Sequence, residues 1–118
     1  DTMWIFTETG FISAVRKDDR PEVITVRARD RESLQPLAGV AGVEIAKSPH
    51  GDYPYRTFVT PEVFAAWVSE VALSLEYDNF KSHIARTKGY DYAHTLGSVW
   101  SVMLETEDED ARSVAAGE

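Results

Sequence analysis

The hydrophobic pattern of this chain changes period once, at Thr60-Pro61, and that change constrains the fold more than any single residue does. Before it, short aromatic and β-branched runs alternate with turn residues, as strands do; after it, apolar residues recur at helical spacing. Trp4-Ile5-Phe6-Thr7 and Phe11-Ile12-Ser13-Ala14-Val15 flank Glu8-Thr9-Gly10, which predicts a hairpin with glycine in its turn. Beyond the charged loop Lys17-Asp18-Asp19-Arg20-Pro21, residues 23–29 resume strand character. Strand alternation puts Val26 and Ala28 on one face and Arg27 and Arg29 on the other. Asp30 is placed to cap a short helix through Leu37, Gly39 and Gly42 end that helix, and Val43-Glu44-Ile45-Ala46 gives a fourth strand. Residues 48–52 are turn-like and residues 55–59 form a fifth strand, with Pro54 marking an edge or a strand start.

Past the change of period, Thr60 is an N-cap and Pro61 takes the first helical position. Val63, Phe64, Trp67, Val68, Val71 and Leu75 then make one apolar stripe. Asp78 or Asn79 caps a second helix that Gly89 stops after Lys88. Asp91 caps a third, which is expected to turn Ala93, Leu96, Val99, Trp100, Met103 and Leu104 inward. Trp4, Trp67 and Trp100 sit in apolar segments and read as core.

Strands followed by grouped helices predict an α+β sandwich, an antiparallel-rich sheet of about five strands covered on one face by the C-terminal helices. The strand-helix-strand-strand-helix portion suits a ferredoxin-like core. With 118 residues, one domain over residues 3–104 is expected, Met3 being the native start, and residues 105–118 are expected to form a disordered acidic tail.

The net charge of −8 is uneven. Residues 105–118 hold six carboxylates against Arg112, which leaves −3 on residues 1–104, and six basic groups lie between Arg16 and Arg31. A local positive surface is therefore compatible with an acidic protein. The absence of cysteine excludes disulfides and thiol chemistry and fits a reducing, cytoplasmic setting. The N-terminus lacks a secretory signal, no stretch is apolar enough to span a bilayer, and no membrane association is expected.

Tyrosine, aspartate and a basic residue recur at short range: Asp52-Tyr53-Pro54-Tyr55-Arg56, Tyr77-Asp78-Asn79-Phe80-Lys81 and Lys88-Gly89-Tyr90-Asp91-Tyr92. The first two of these segments, with Met3-Trp4-Ile5-Phe6-Thr7-Glu8-Thr9-Gly10-Phe11-Ile12-Ser13, Val26-Arg27-Ala28-Arg29 and Val99-Trp100-Ser101-Val102, resemble a family of small bacterial proteins without an assigned activity. The resemblance covers nearly all of residues 3–104. It implies a compact single domain and carries over no ligand or catalytic residue.

Arg27 and Arg29 share a strand face, and Arg56 joins them if the fifth strand pairs nearby, giving guanidinium forks suited to phosphate or carboxylate. With Tyr53 and Tyr55 beside them they make a candidate contact surface; the alternative is a solvated face whose arginines pair with Asp30, Glu32 or Glu44. Tyr77 and Lys81 at a helix start are candidates for a polar ligand, or else an N-cap with Tyr77 and Phe80 anchoring the turn. His50, His83 and His94 match no metal-ligand spacing, and Ser13, Ser98 and Ser101 lack a nucleophile-elbow context. No cofactor or metal is expected.

The leading expectation is a small non-enzymatic interaction module with a protein partner or a second copy of itself, an exposed edge at the fifth strand being one way to pair. Nucleic-acid or nucleotide binding through the same arginines and tyrosines is the alternative. A hydrolase or transferase that draws His83, His94, Asp78 and Asp91 into one pocket is a third reading.

Overall fold

Alternating strands close into one antiparallel sheet in the computed structural model, which describes residues 2–48 and 51–111. The strands are β1 (Thr2–Thr7), β2 (Gly10–Val15), β3 (Ile24–Ala28), β4 (Ala46–Lys47) and β5 (Tyr55–Val59). They lie in the order β1-β2-β3-β5-β4, every neighbouring pair antiparallel. Helices α1 (Gln35–Ala41) and α2 (Pro61–Leu73) complete the compact unit that runs to Asp78. The fold is α+β, as the change of period at Thr60 requires.

β3 and β4, joined through α1, run in the same direction with β5 between them. That is the split strand-helix-strand arrangement of a ferredoxin-like core. Among the described residues no strand follows α2, and β2 takes the place beside β3. β5 is interior, so the edges of the sheet are β1 and β4; Pro54 marks a strand start and not an edge.

Ile12, Ala14, Val26, Ala28 and Val59 from the strands meet Leu34 and Leu37 from the α1 segment and Phe64 and Trp67 from α2 to form the core. Thr60 caps α2 by accepting the Val63 N–H at 3.2 Å, and Pro61 occupies a position where an N–H would have no helical partner. Leu75, expected in the α2 stripe, falls beyond the helix end and is exposed.

Two local expectations fail for identifiable reasons. Asp30 does not cap α1; its Oδ1 accepts from the Ser33 N–H at 2.9 Å and the Ser33 hydroxyl at 2.5 Å, closing a turn, and the helix starts at Gln35 with Pro36 in its first turn. The fourth strand shrinks to Ala46–Lys47 because Gly42, at φ 68°, ends α1 in a left-handed cap and the Val43 N–H turns back to the Ala38 carbonyl.

The second unit, from Asn79 onward, contains α3 (Phe80–Lys88), α4 (Tyr90–Met103) and a 3-10 turn at Leu104–Thr106. Asn79 caps α3 through the Ser82 N–H at 3.0 Å. Gly89, not Asp91, flanks the start of α4, and Asp91 lies in its first turn. Ile84 and Leu96 are the buried apolar residues here. Val99, Trp100, Met103 and Leu104, expected inward, are exposed, since α3 alone is too short to cover the whole apolar length of α4. In the acidic stretch, Asp108 Oδ1 accepts the Ala111 N–H at 2.8 Å; residues 112–118 of the expected tail lie outside the described residues. No helix is long and apolar enough to cross a membrane among the described residues.

Candidate functional site

Strand register decides which side chains meet on the sheet face opposite the core. Trp4 is paired with Ser13, Ser13 with Arg27, Arg27 with Arg56, and Arg56 with Ala46. Directly paired residues in an antiparallel sheet share a face, so these five form one transverse row across every strand. None of the five strands contains a carboxylate.

At the centre of the row, Arg27 Nη2 donates to Ser13 Oγ at 2.9 Å, and the Arg27 guanidinium carbon lies 4.8 Å from the centre of the Tyr53 ring. Arg29 lies against the same ring at 4.4 Å and donates through Nη1 to the Asp52 carbonyl. The side-chain neighbours of Arg27 are thus a hydroxyl and a ring, with Arg56 directly opposite on β5. Arg27 Nε and, beside it on β3, Thr25 Oγ1 are buried without a hydrogen-bond partner. Gly51, at φ 101°, passes so close to Arg56 that an added Cβ would sit 3.1 Å from Nη2.

Toward the β1 edge the same face is aromatic. Trp4 meets Phe11 edge-on, with ring centres 5.8 Å apart at 86°, and Phe6 stacks on Phe11 at 4.6 Å and 23°. Trp4 is 65% exposed, whereas Trp67 is 5% exposed. Farther along the face, Arg20 lies 4.1 Å from the centre of the Phe58 ring. The expectation that Trp4 and Trp100 are core is therefore corrected: both are exposed, and only Trp67 is buried. The aromatic row of Trp4, Phe6 and Phe11 was missed from sequence. Alternation within β1 sets Trp4 beside Phe6 and within β2 sets Phe11 beside Ser13, but only the register between the strands brings these rings together.

The structure brings Arg27, Arg29, Tyr53 and Arg56 together and separates the other candidates. Tyr55 pairs with Ala28 and so points to the helix side, with Arg31 at 5.3 Å and Lys47 at 5.7 Å from its ring. Tyr77 lines a separate pocket of about 280 Å³ with Glu8, Trp67, Glu70 and Val71. Burial pushes the Tyr77 phenol above its usual value, and the Glu8 carboxylate adds to the shift. Lys81 belongs to the second unit, with its ammonium 5.0 Å from the Trp100 ring.

In that unit Lys81, Ser82 and His94 line an open groove of about 670 Å³ between α3 and α4. His83 and Asp91 are not part of its lining, so the histidine-aspartate constellation is not assembled in it. His50 lies outside the described residues. Among the described residues no three histidine, aspartate or glutamate side chains are grouped to hold a metal ion. Comparison of the chain with protein-family models, curated proteins and solved structures gave no match.

Proposed function

We propose that this chain is a non-enzymatic binding module whose contact surface is the sheet face opposite α1 and α2, taking an anionic partner at Arg27 and Arg56. One observation carries the reading: two arginines stand directly opposite each other on adjacent strands, on a face whose strands supply no carboxylate. Like charges in that position repel, and a bound anion would convert the repulsion into charge-assisted hydrogen bonds. Arg29 and Tyr53 support the arrangement from the side.

The test compares the parent protein with the double variant Arg27→Ala plus Arg56→Ala against two labelled probes, an oligothymidylate and a polyglutamate peptide. At least one probe should bind the parent and be released by the double variant. No binding of either by the parent, or equal binding by the variant, removes this surface.

A second reading, self-association, is favoured by the β1 edge, where Met3 and Trp4 are exposed on a strand with one unpaired side. Pairing of two β1 edges would make a dimer that a proline at Trp4 or Phe6, whose N–H groups face away from β2, abolishes in sedimentation; a monomeric parent ends the reading.

A further inference from the structure

Resting on the open-face reading above, we infer that the partner is single-stranded nucleic acid, with bases stacked on Trp4 and its neighbours and phosphates held by Arg27 and Arg56. The transverse row is the basis. It begins with an exposed indole at the β1 edge, passes the small Ser13 on β2, and reaches two guanidinium groups on β3 and β5. Strand spacing puts Trp4 roughly 10 Å from Arg27 and roughly 14 Å from Arg56 along the sheet. Phe6 and Phe11 extend the aromatic part along the strands.

The chemistry selects among anions. An acidic peptide satisfies guanidinium groups and has no use for exposed flat rings. Duplex nucleic acid offers phosphates but keeps its bases stacked and paired inside. A single strand presents both a phosphate and an unstacked base, which is what aromatic faces and basic groups on one sheet accept together. Charge complementarity is local, because the protein as a whole carries −8. Affinity must then come from contacts at the row, and its salt dependence should count only the phosphates that the two arginines neutralise.

Fluorescence anisotropy with an oligothymidylate of about ten nucleotides, a length within the range one such platform covers, tests the inference. The parent should bind it, more tightly than a duplex of the same length. The slope of log affinity against log salt should be about −1.4, at roughly 0.7 per neutralised phosphate on a single strand. Trp4→Ala should weaken binding by at least about fivefold, as loss of one stacked base does. Because Trp4 is so exposed, that variant should keep the parent circular dichroism spectrum, which is checked alongside. Equal binding of duplex, or an oligothymidylate affinity indifferent to Trp4→Ala, overturns the nucleic-acid assignment. Binding of the polyglutamate peptide alone, lost in the double arginine variant, overturns it while leaving the anionic-partner reading standing. Binding of neither probe overturns both.

Discussion

The two faces of the sheet are made by the same strands and often by adjacent residues, yet they end in opposite states. On one, Ile12, Ala14, Val26, Ala28 and Val59 are closed over by α1 and α2. On the other, Trp4, Phe6 and Phe11 remain as a cluster of rings beside Arg27 and Arg56. Aromatic content therefore does not mark the core here; position relative to the helices does. The ring-rich face carries arginine and no acidic strand residue and is the one proposed for contact, whereas the other holds the apolar core.

That contrast is open to attack, most forcefully on the core face. Leu37 is fully buried, so Leu37→Ala should lower unfolding free energy by about 2–5 kcal/mol in urea titration. A loss below about 1 kcal/mol would mean that α1 does not close this face. Next comes the hairpin tip, where Gly10 adopts φ 145° and an added Cβ would lie 1.9 Å from Ser33 Oγ. Ser33 Oγ also accepts the Phe11 N–H at 3.2 Å, so Gly10→Ala should cost about 3 kcal/mol through strain and the lost hydrogen bond.

The open face should answer differently. Arg27→Met removes a like-charge neighbour of Arg56 and a buried Nε that has no partner, so stability should stay within about 1 kcal/mol of the parent or rise while anion binding falls. A larger loss would return Arg27 to a structural role. The smallest effect is expected at Tyr77. Its folded-state pKa is raised, so its contribution to stability is intact below the unfolded value near 10.0 and is lost as pH rises through the folded one. Stability measured across that alkaline window should decline, and Tyr77→Phe should flatten the decline.

Local signals carried much of the architecture. The first hairpin, β5, the Thr60 cap with Pro61, and the Asn79 and Gly89 boundaries of α3 could all be read from neighbours in sequence. What failed depended on competition or on distance. Asp30 had two uses for one carboxylate, and the Ser33 turn took it. The α4 stripe has helical spacing, but spacing does not say that a partner is present for Trp100, which is 58% exposed. The site was half legible: Arg27 and Arg29 share a face by alternation alone, while the meeting of Arg27 with Arg56 and of Trp4 with Ser13 is a matter of register between separate strands. The same register sent Tyr55 to the helix side, one position away from Arg56.

Tyr53 has a consequence of its own. A phenol ring that is almost sealed from water and touched by both Arg27 and Arg29 fixes two long side chains at the moment the chain folds. Their rotational freedom is surrendered then, in the free protein, and little of it is left to lose on encounter with a ligand. Shaving the ring away by Tyr53→Leu would leave every charge in place and still slacken the grip, with the complex falling apart sooner although it forms as fast.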